Sequence, residues 1–265
     1  MLFNPNELIL ERIRSVEEYD PATNELIGRY TQIGEPSLKT SAEAQEVTDA
    51  MGSPVATFYK AQKGTFDFSN SYFSLDLAAS QYGTEKVLAS DEKKIIMPVS
   101  ETITIGSDHT VVLKYVPVGT AGAEVKYVKV INENNTFGET YEVSATAGDG
   151  KFTIDAGTKT ITLPDGVTGR VFVNYERETT KAALVTKRTD KTPMIKTLLI
   201  HAIFHDICNT NIVYAGVIRC PRAQIDPSST EVALSPDGKH AASYILQKSY
   251  CDEDGTLFDI IISED

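Results

Sequence analysis

The chain has 265 residues and a formal net charge of -12, because 37 Asp and Glu residues outnumber 25 Lys and Arg residues. This length allows a sizeable core in one or two domains, and the acidic balance argues against wrapping of nucleic acid, which requires clustered Lys and Arg. No stretch approaches 18 apolar residues and the first residues lack the pattern of a secretion signal, so we expect a soluble protein that is made in the cytosol and contacts no membrane.

The N-terminal part predicts strands separated by turns. Residues 8–19 begin with alternation of apolar and polar side chains, and the turn formers at 20–24 follow them, which predicts a hairpin. Residues 26–38 and 55–69 are also strand-like. Between them, residues 39–54 are polar, acidic and too numerous for a tight turn, so we expect a long loop that is functional or disordered.

Residues 70–83 are the best helix candidate. Ser71 or Ser74 can cap the N-terminus, and Gly83 follows the last turn, where a left-handed residue commonly ends a helix. An isolated helix below about 12 residues is marginal in water, so this one must be held by packing.

The composition changes at residue 99 to short strands divided by turn signals. Seven strands are predicted, at residues 102–105, 110–116, 124–131, 140–146, 152–155, 158–163 and 170–176. Their spacing is typical of an Ig-like β-sandwich, although the Cys and Trp residues of antibody domains are absent. We therefore expect an inserted β-sandwich domain at 99–177, within a main domain formed by 1–98 and 178–265.

A Thr- and Lys-rich connector at residues 179–193 leads into the most apolar part of the chain. Residues 194–207 fit a helical stripe as well as a strand, but we favour a strand that is covered on both faces. The turn formers at 209–211 precede a β-branched run, 212–218, which we expect to return as the antiparallel partner.

The C-terminal part predicts more strands. Residues 240–250 and 256–263 are expected to form the last hairpin, after turns at 226–229 and 235–239. Cys208, Cys220 and Cys251 are odd in number and widely spaced, which fits neither a disulfide framework nor a zinc site, so we interpret them as free thiols.

His201 and His205 form the one pattern that suggests catalysis, since a spacing of four residues on a helix suits a metal. A zinc protease signature needs a Glu directly after the first His, and Ala202 stands there. On a strand, residues four apart are separated by about 13 Å, too far to bind one ion. We therefore expect two hydrogen-bonded histidines in a core or at a subunit boundary, with no catalytic residue, metal or cofactor.

Two blocks of the chain resemble the bacteriophage major tail tube proteins. The first block contains residues 33–40, 42–44, 47–52 and 55–61, which resemble the N-terminal hairpin of that family. The second contains residues 221–225 and 232–234, with Asp237-Gly238 and a late Cys251-Asp252 before an apolar strand. The resemblance covers about residues 8–98 and 181–265 and leaves the inserted domain uncovered.

The resemblance implies a mainly β fold, a sandwich or barrel with one short flanking helix. It also implies a homo-oligomer of hexameric rings that stack into a virion tail tube, contact other tail proteins and let double-stranded DNA pass without specific binding. The acidic charge agrees with a conduit that repels DNA. The loop at 39–54 would reach the next ring, and its candidate contact residues are Lys39, Glu43, Gln45, Glu46, Thr48 and Asp49.

Three alternatives stay open at this point. The loop at 39–54 could be a plain solvated surface loop. The chain could be a capsid decoration protein or adhesin with an Ig-like domain, which would explain residues 99–177 equally well. A metal-dependent hydrolase that uses His201 and His205, with His240 as a further candidate ligand, is the enzymatic alternative. It needs three convergent ligands and a base, and the sequence shows neither. Residues that face the lumen cannot be assigned from the sequence.

Overall fold

A computed structural model describes residues 5–229, 231–235, 238–248 and 255–264. These residues form the expected mainly β fold with one short α-helix. The helix α1 spans Leu75–Tyr82, and the strands are β1 (Leu8–Tyr19), β2 (Leu26–Tyr30), β3 (Ile33–Thr48), β4 (Pro54–Asn70), β5 (Val87–Leu88), β6 (Ile95–Thr104), β7 (Thr110–Val112), β8 (Tyr127–Ile131), β9 (Phe137–Val143), β10 (Lys151–Asp155), β11 (Thr160–Thr162), β12 (Arg170–Thr179), β13 (Ala183–Leu184), β14 (Ile195–Asp206), β15 (Val213–Ile225), β16 (Glu231–Val232), β17 (His240–Leu246) and β18 (Asp259–Ser263).

The chain divides into two compact units. The first contains the described residues up to Lys86 and those from Val185 onward, and the second is Val87–Leu184. In the first unit a nine-stranded sheet has the order β2-β1-β14-β15-β17-β4-β3, with β16 attached to β17 and β18 attached to β15. This sheet is nearly closed and barrel-like. Its interior holds one apolar cluster: Val16, Tyr30, Phe66, Phe68, Leu77, Leu198, Ile200, Cys220, Ala223, Ile225, Ala242, Tyr244 and Leu246.

The apolar segment after the connector is a strand, as predicted. β14 pairs with β15 in antiparallel register, from Ile195 opposite Gln224 to His205 opposite Val213. Leu198 and Ile200 are fully buried in the core, whereas the residues that alternate with them are only half-buried. The expectation that both faces of this strand are covered is therefore wrong within one subunit, because the described part of the chain packs against only one of them.

Helix α1 has the caps that the sequence predicts. The Ser74 hydroxyl accepts a hydrogen bond from the Leu77 backbone N–H, and Gly83 ends the helix in the left-handed region with φ 66°. A Cβ at Gly83 would also overlap the backbone carbonyl of Thr192. The connector thus packs tightly against the C-terminal end of the helix, and only glycine fits there.

The expected loop at residues 39–54 is wrong. β3 continues to Thr48 and β4 begins at Pro54, so only residues 49–53 form a turn. Cross-strand pairing continues from Ser41 opposite Lys63 out to the turn. Polar side chains on both faces of the first strand of this hairpin hide the period of two, while the backbone ladder still forms. We call residues 41–63 the arm.

The expected last hairpin is also wrong. β18 pairs with β15, from Asp259 opposite Arg219 to Ser263 opposite Ala215, and not with β17. β17 pairs instead with β4, and with β15 only at residues 223–225. β15 is long enough for one of its edges to pair with β18 and, further along, with β17. Cys251, Asp252 and Asp237 lie outside the described residues.

The second unit has its own sheet and core. Its seven-stranded sheet has the order β6-β12-β8-β9-β10-β11-β7, and each predicted strand overlaps one of these. The strands enclose an apolar cluster: Ile105, Val111, Leu113, Val125, Val128, Tyr141, Phe152, Ile161, Leu163, Val171, Val173 and Tyr175. β5 and β13 form a separate two-stranded ladder. Among the described residues, no helix has the length and apolar character that crossing a bilayer requires.

Candidate assembly surfaces

The arm projects from the sheet of the first unit without burying its side chains. β4 pairs with β17 only from Gly64 to Asn70, so among the described strands the arm has no neighbour except its own second half. All of its residues are exposed except Ala56 near the turn. An isolated two-stranded hairpin is marginally stable in water, so an exposed one of this length suits contact with another molecule.

All six candidate contact residues lie on this hairpin, and five of them are on the arm itself. Lys39 lies at its base, where its Nζ is 2.8 Å from Asp67 Oδ2. The Glu43 carboxylate lies 3.2 Å from Lys63 Nζ, and Gln45 Oε1 accepts a hydrogen bond from Lys60 Nζ at 2.9 Å. The others lie nearer the tip: Glu46, Thr48 and Asp49.

The tip of the arm combines negative charge with apolar side chains. Asp49 accepts hydrogen bonds from the Met51 and Ser53 N–H groups at 2.8 and 2.9 Å, which holds the turn. Met51 is 91% exposed, and Phe58 and Tyr59 are 62% and 69% exposed. Exposed aromatic and Met side chains are enriched in protein interfaces. The tip therefore exposes the types of side chain that are common in protein interfaces.

A second candidate surface is formed by four neighbouring strands, β1, β14, β15 and β18, which we call the ribbon. Each is antiparallel to the next, so β1 and β18 at its two borders run in opposite directions. β2 covers β1 only from Val16 onward, and β18 pairs with β15 alone. Within the described residues, the ribbon thus has an unpaired edge on each side, along residues 8–13 and along β18. Unpaired edges are templates for pairing with another chain.

Apolar side chains at both borders of the ribbon stay partly exposed. Leu10 pairs with Phe204, and Ile260 pairs with Ile218, which lies opposite Ile200. These residues share the face that packs on the core, yet Leu10 is 52% exposed and Ile260 is 57% exposed. The core of the subunit therefore continues to both edges without a cover.

The opposite face of the ribbon carries the two histidines. His201 Nε2 lies 3.3 Å from Glu17 Oε2, and His205 Nε2 lies 2.6 Å from Glu11 Oε2. The hydrogen bond to Glu11 raises the pKa of His205, and the same bond lowers the pKa of Glu11. Each histidine thus pairs with its own carboxylate, and within the described residues no group of three His, Cys, Asp or Glu could hold a metal ion.

His240 is separate from this pair. It is buried, and its Nε2 lies 2.8 Å from Gln81 Oε1, while its Nδ1 accepts a hydrogen bond from the Ser74 N–H at 3.3 Å. Burial lowers its pKa. His240 therefore helps to hold helix α1 on the sheet, which leaves the hydrolase alternative without a third ligand from this residue.

Sequence reasoning did not find the two ribbon edges. The sequence predicts a hairpin between β17 and β18, and that pairing would cover the edge of β18. One available signal is the run of three isoleucines at 260–262, which is apolar on both faces and therefore unsuited to a strand with an exposed face.

A comparison with protein-family models matches residues 9–255 to the family described as the YomU/Tube protein family. No curated protein matches the chain.

Proposed function

The chain belongs to the YomU/Tube protein family, which confirms its resemblance to phage tail tube proteins, and we propose that it is the structural subunit of a tail tube made of stacked hexameric rings. The proposal places it in the virion tail, in contact with other tail proteins, after synthesis in the cytoplasm of the bacterial host. A structural role needs no catalytic residue, metal or cofactor, and we propose none.

The observation that carries the proposal is the pair of unpaired ribbon edges. Because β1 and β18 are antiparallel, β18 of one copy can pair with β1 of the next and keep the strands alternating in direction around a ring. Six ribbons joined in this way form one closed barrel, which removes every free edge. Leu10 and Ile260 at the borders would then be covered by the neighbouring copy.

In such a ring the face that carries the two histidines lines the conduit, because the other face packs on the subunit core. Its carboxylates stand beside cations: Arg29 Nε lies 3.0 Å from Glu17, and Arg219 Nη2 lies 2.6 Å from Asp259. These pairs leave less of the positive charge of Arg29 and Arg219 for the phosphate groups of DNA, and the net charge of the subunits opposes DNA binding. We therefore propose an acidic conduit through which double-stranded DNA slides.

Two further parts of the proposal concern the arm and the inserted unit. We propose that the arm reaches the next ring and contacts it through Lys39, Glu43, Gln45, Glu46, Thr48 and Asp49. We also propose that residues 99–177 form an independently folded, Ig-like β-sandwich domain, since this region has its own apolar core.

Substitution by lysine at either border of the ribbon tests whether subunits join into a ring through these edges. Leu10→Lys and Ile260→Lys each place a charge on a half-exposed edge position, so the subunit should fold while ring formation is lost. Light scattering at rising concentration should show rings or polymer for the wild-type protein and monomer for both variants. Val112→Lys, on an edge strand of the inserted unit with 57% exposure, is the control and should assemble normally. Undiminished rings in both edge variants would refute edge pairing.

A further inference from the structure

The arm and the connector lie at opposite ends of the strands in the first unit. β14 is antiparallel to β15, β15 to β17, and β17 to β4, so β14 and β4 run in opposite directions. β4 starts at the tip of the arm, and the end of β14 therefore points the same way as the tip. The start of β14, which the connector precedes, lies at the other end. Twelve residues of β14 span about 40 Å.

The connector carries exposed positive charge at that far end. Between residues 187 and 191 it has three cations and one carboxylate, and we call this segment the basic strap: Lys187, Arg188, Thr189, Asp190 and Lys191. Lys187 Nζ lies 5.8 Å from the centre of the Tyr82 ring and donates a hydrogen bond to the Lys191 carbonyl at 3.3 Å. The strap is thus fixed against helix α1 with its charged groups in solvent.

The tip of the arm carries the complementary charge. Between residues 44 and 58 its only charged side chains are Glu46 and Asp49. The cations of the arm lie nearer its base, where Lys63 pairs with Glu43 and Lys60 with Gln45. The tip therefore carries negative charge on both of its charged side chains and also exposes Met51.

A groove of about 520 Å³ is lined by Gly83, which follows the helix end that Lys187 contacts, and its rim contains the exposed apolar residues Leu26, Ile27 and Met194. Asp76 in this groove pairs with Lys86 at 2.5 Å, but Asp20, Glu25 and Glu85 also line it. Those three carboxylates would repel an acidic tip from the interior of the groove. The positive charge of the strap is consequently complementary to Glu46 and Asp49, and the apolar rim of the groove is suited to contact with Met51.

We propose that the tip of the arm docks on the basic strap of a second copy of this chain. The two surfaces lie at opposite ends of the unit, so the contact is made between copies and runs head to tail, which generates an open-ended polymer. The inference rests on the proposed tube function and identifies the surface that receives the arm. Since neither Glu46 nor Arg188 has an ion-pair partner among the described residues, both are available for this contact.

A charge exchange tests the docking. Glu46→Lys and Arg188→Glu should each raise the protein concentration needed for tubes by about tenfold, because each places like charges together. The combined variant should recover most of the loss, as measured by light scattering and negative-stain electron microscopy. Rings should persist in all three variants, since the ribbon edges are unchanged. Glu133→Lys and Lys126→Glu, at exposed positions of the inserted unit, are the matched controls and should leave tubes unaffected.

The outcomes separate this contact from the tube function itself. Normal tubes from both single variants, or a combined variant no better than either one, would overturn the strap as the receiving surface while the tube stands. Wild-type protein that stays monomeric at every concentration would overturn both.

Discussion

Removal of the arm is expected to abolish tubes and leave a folded subunit. Residues 42–62 can be replaced by Asn-Gly, because Ser41 and Lys63 are paired and a two-residue turn closes such a hairpin. The excised residues are exposed apart from Ala56 and contribute nothing to the core, so far-UV circular dichroism and the urea midpoint should change little. Rings can still form through the ribbon edges, but electron microscopy should show no stacked tubes.

The control for this excision shortens a hairpin that has no proposed part in assembly. The β8–β9 turn at residues 132–136 can be replaced by the same Asn-Gly pair, and that variant should form normal tubes. Tubes of ordinary length from the arm-excised protein would show that the arm has no part in stacking.

Among the substitutions proposed for this protein, loss of the Lys196 ammonium group is expected to cause the largest decrease in the free energy of unfolding. Lys196 Nζ lies 2.6 Å from Glu18 Oε2, both side chains are buried, and Lys196 also donates a hydrogen bond to Ser80. Tyr244 donates a hydrogen bond to the other oxygen of Glu18, and burial with the Glu18 charge raises the pKa of Tyr244 well above its usual value. Lys196→Met leaves the Glu18 carboxylate buried without a cation, which costs about 3–5 kcal/mol of unfolding free energy.

Urea denaturation of the monomeric subunit measures this cost. Adding Glu18→Gln to Lys196→Met removes the second charge and keeps an acceptor for Tyr244, so the double variant should recover much of the loss. Lys94→Met is the control, since Lys94 forms an exposed pair with Glu178 at 2.7 Å, and exposed pairs contribute less than about 1 kcal/mol. An equal, small effect of the Lys94 and Lys196 variants would contradict the role of the buried pair.

Local patterns predicted the elements whose signals lie close together in the chain. Helix α1 has a cap at Ser74 and a stop at Gly83, and β14 has an apolar run with a turn after it. The first strand of the arm, at residues 41–48, is missed because neither of its faces is apolar enough to show a period of two, so composition alone predicts a loop. The second strand of the arm lies mostly within residues 55–69, which the sequence does predict as a strand.

Long-range pairing set the other limit. Glu18 and Lys196 are 178 positions apart, and the local sequence around each residue does not indicate which residue it pairs with. A single Lys inside the apolar run at 194–207 is the available signal, since a buried ammonium group needs an acceptor. The predicted partner of β18 is wrong for the same reason. One edge of β15 pairs with both β17 and β18, and the sequence does not show which residues of β15 pair with each strand.

Electron microscopy of the purified wild-type protein at rising concentration tests the tube most directly. We expect hexameric rings that stack into tubes, with β18 of each subunit paired to β1 of its neighbour and with the face that carries His201 and His205 toward the channel. A monodisperse monomer at every concentration, or rings joined only through the unit Val87–Leu184, would contradict it.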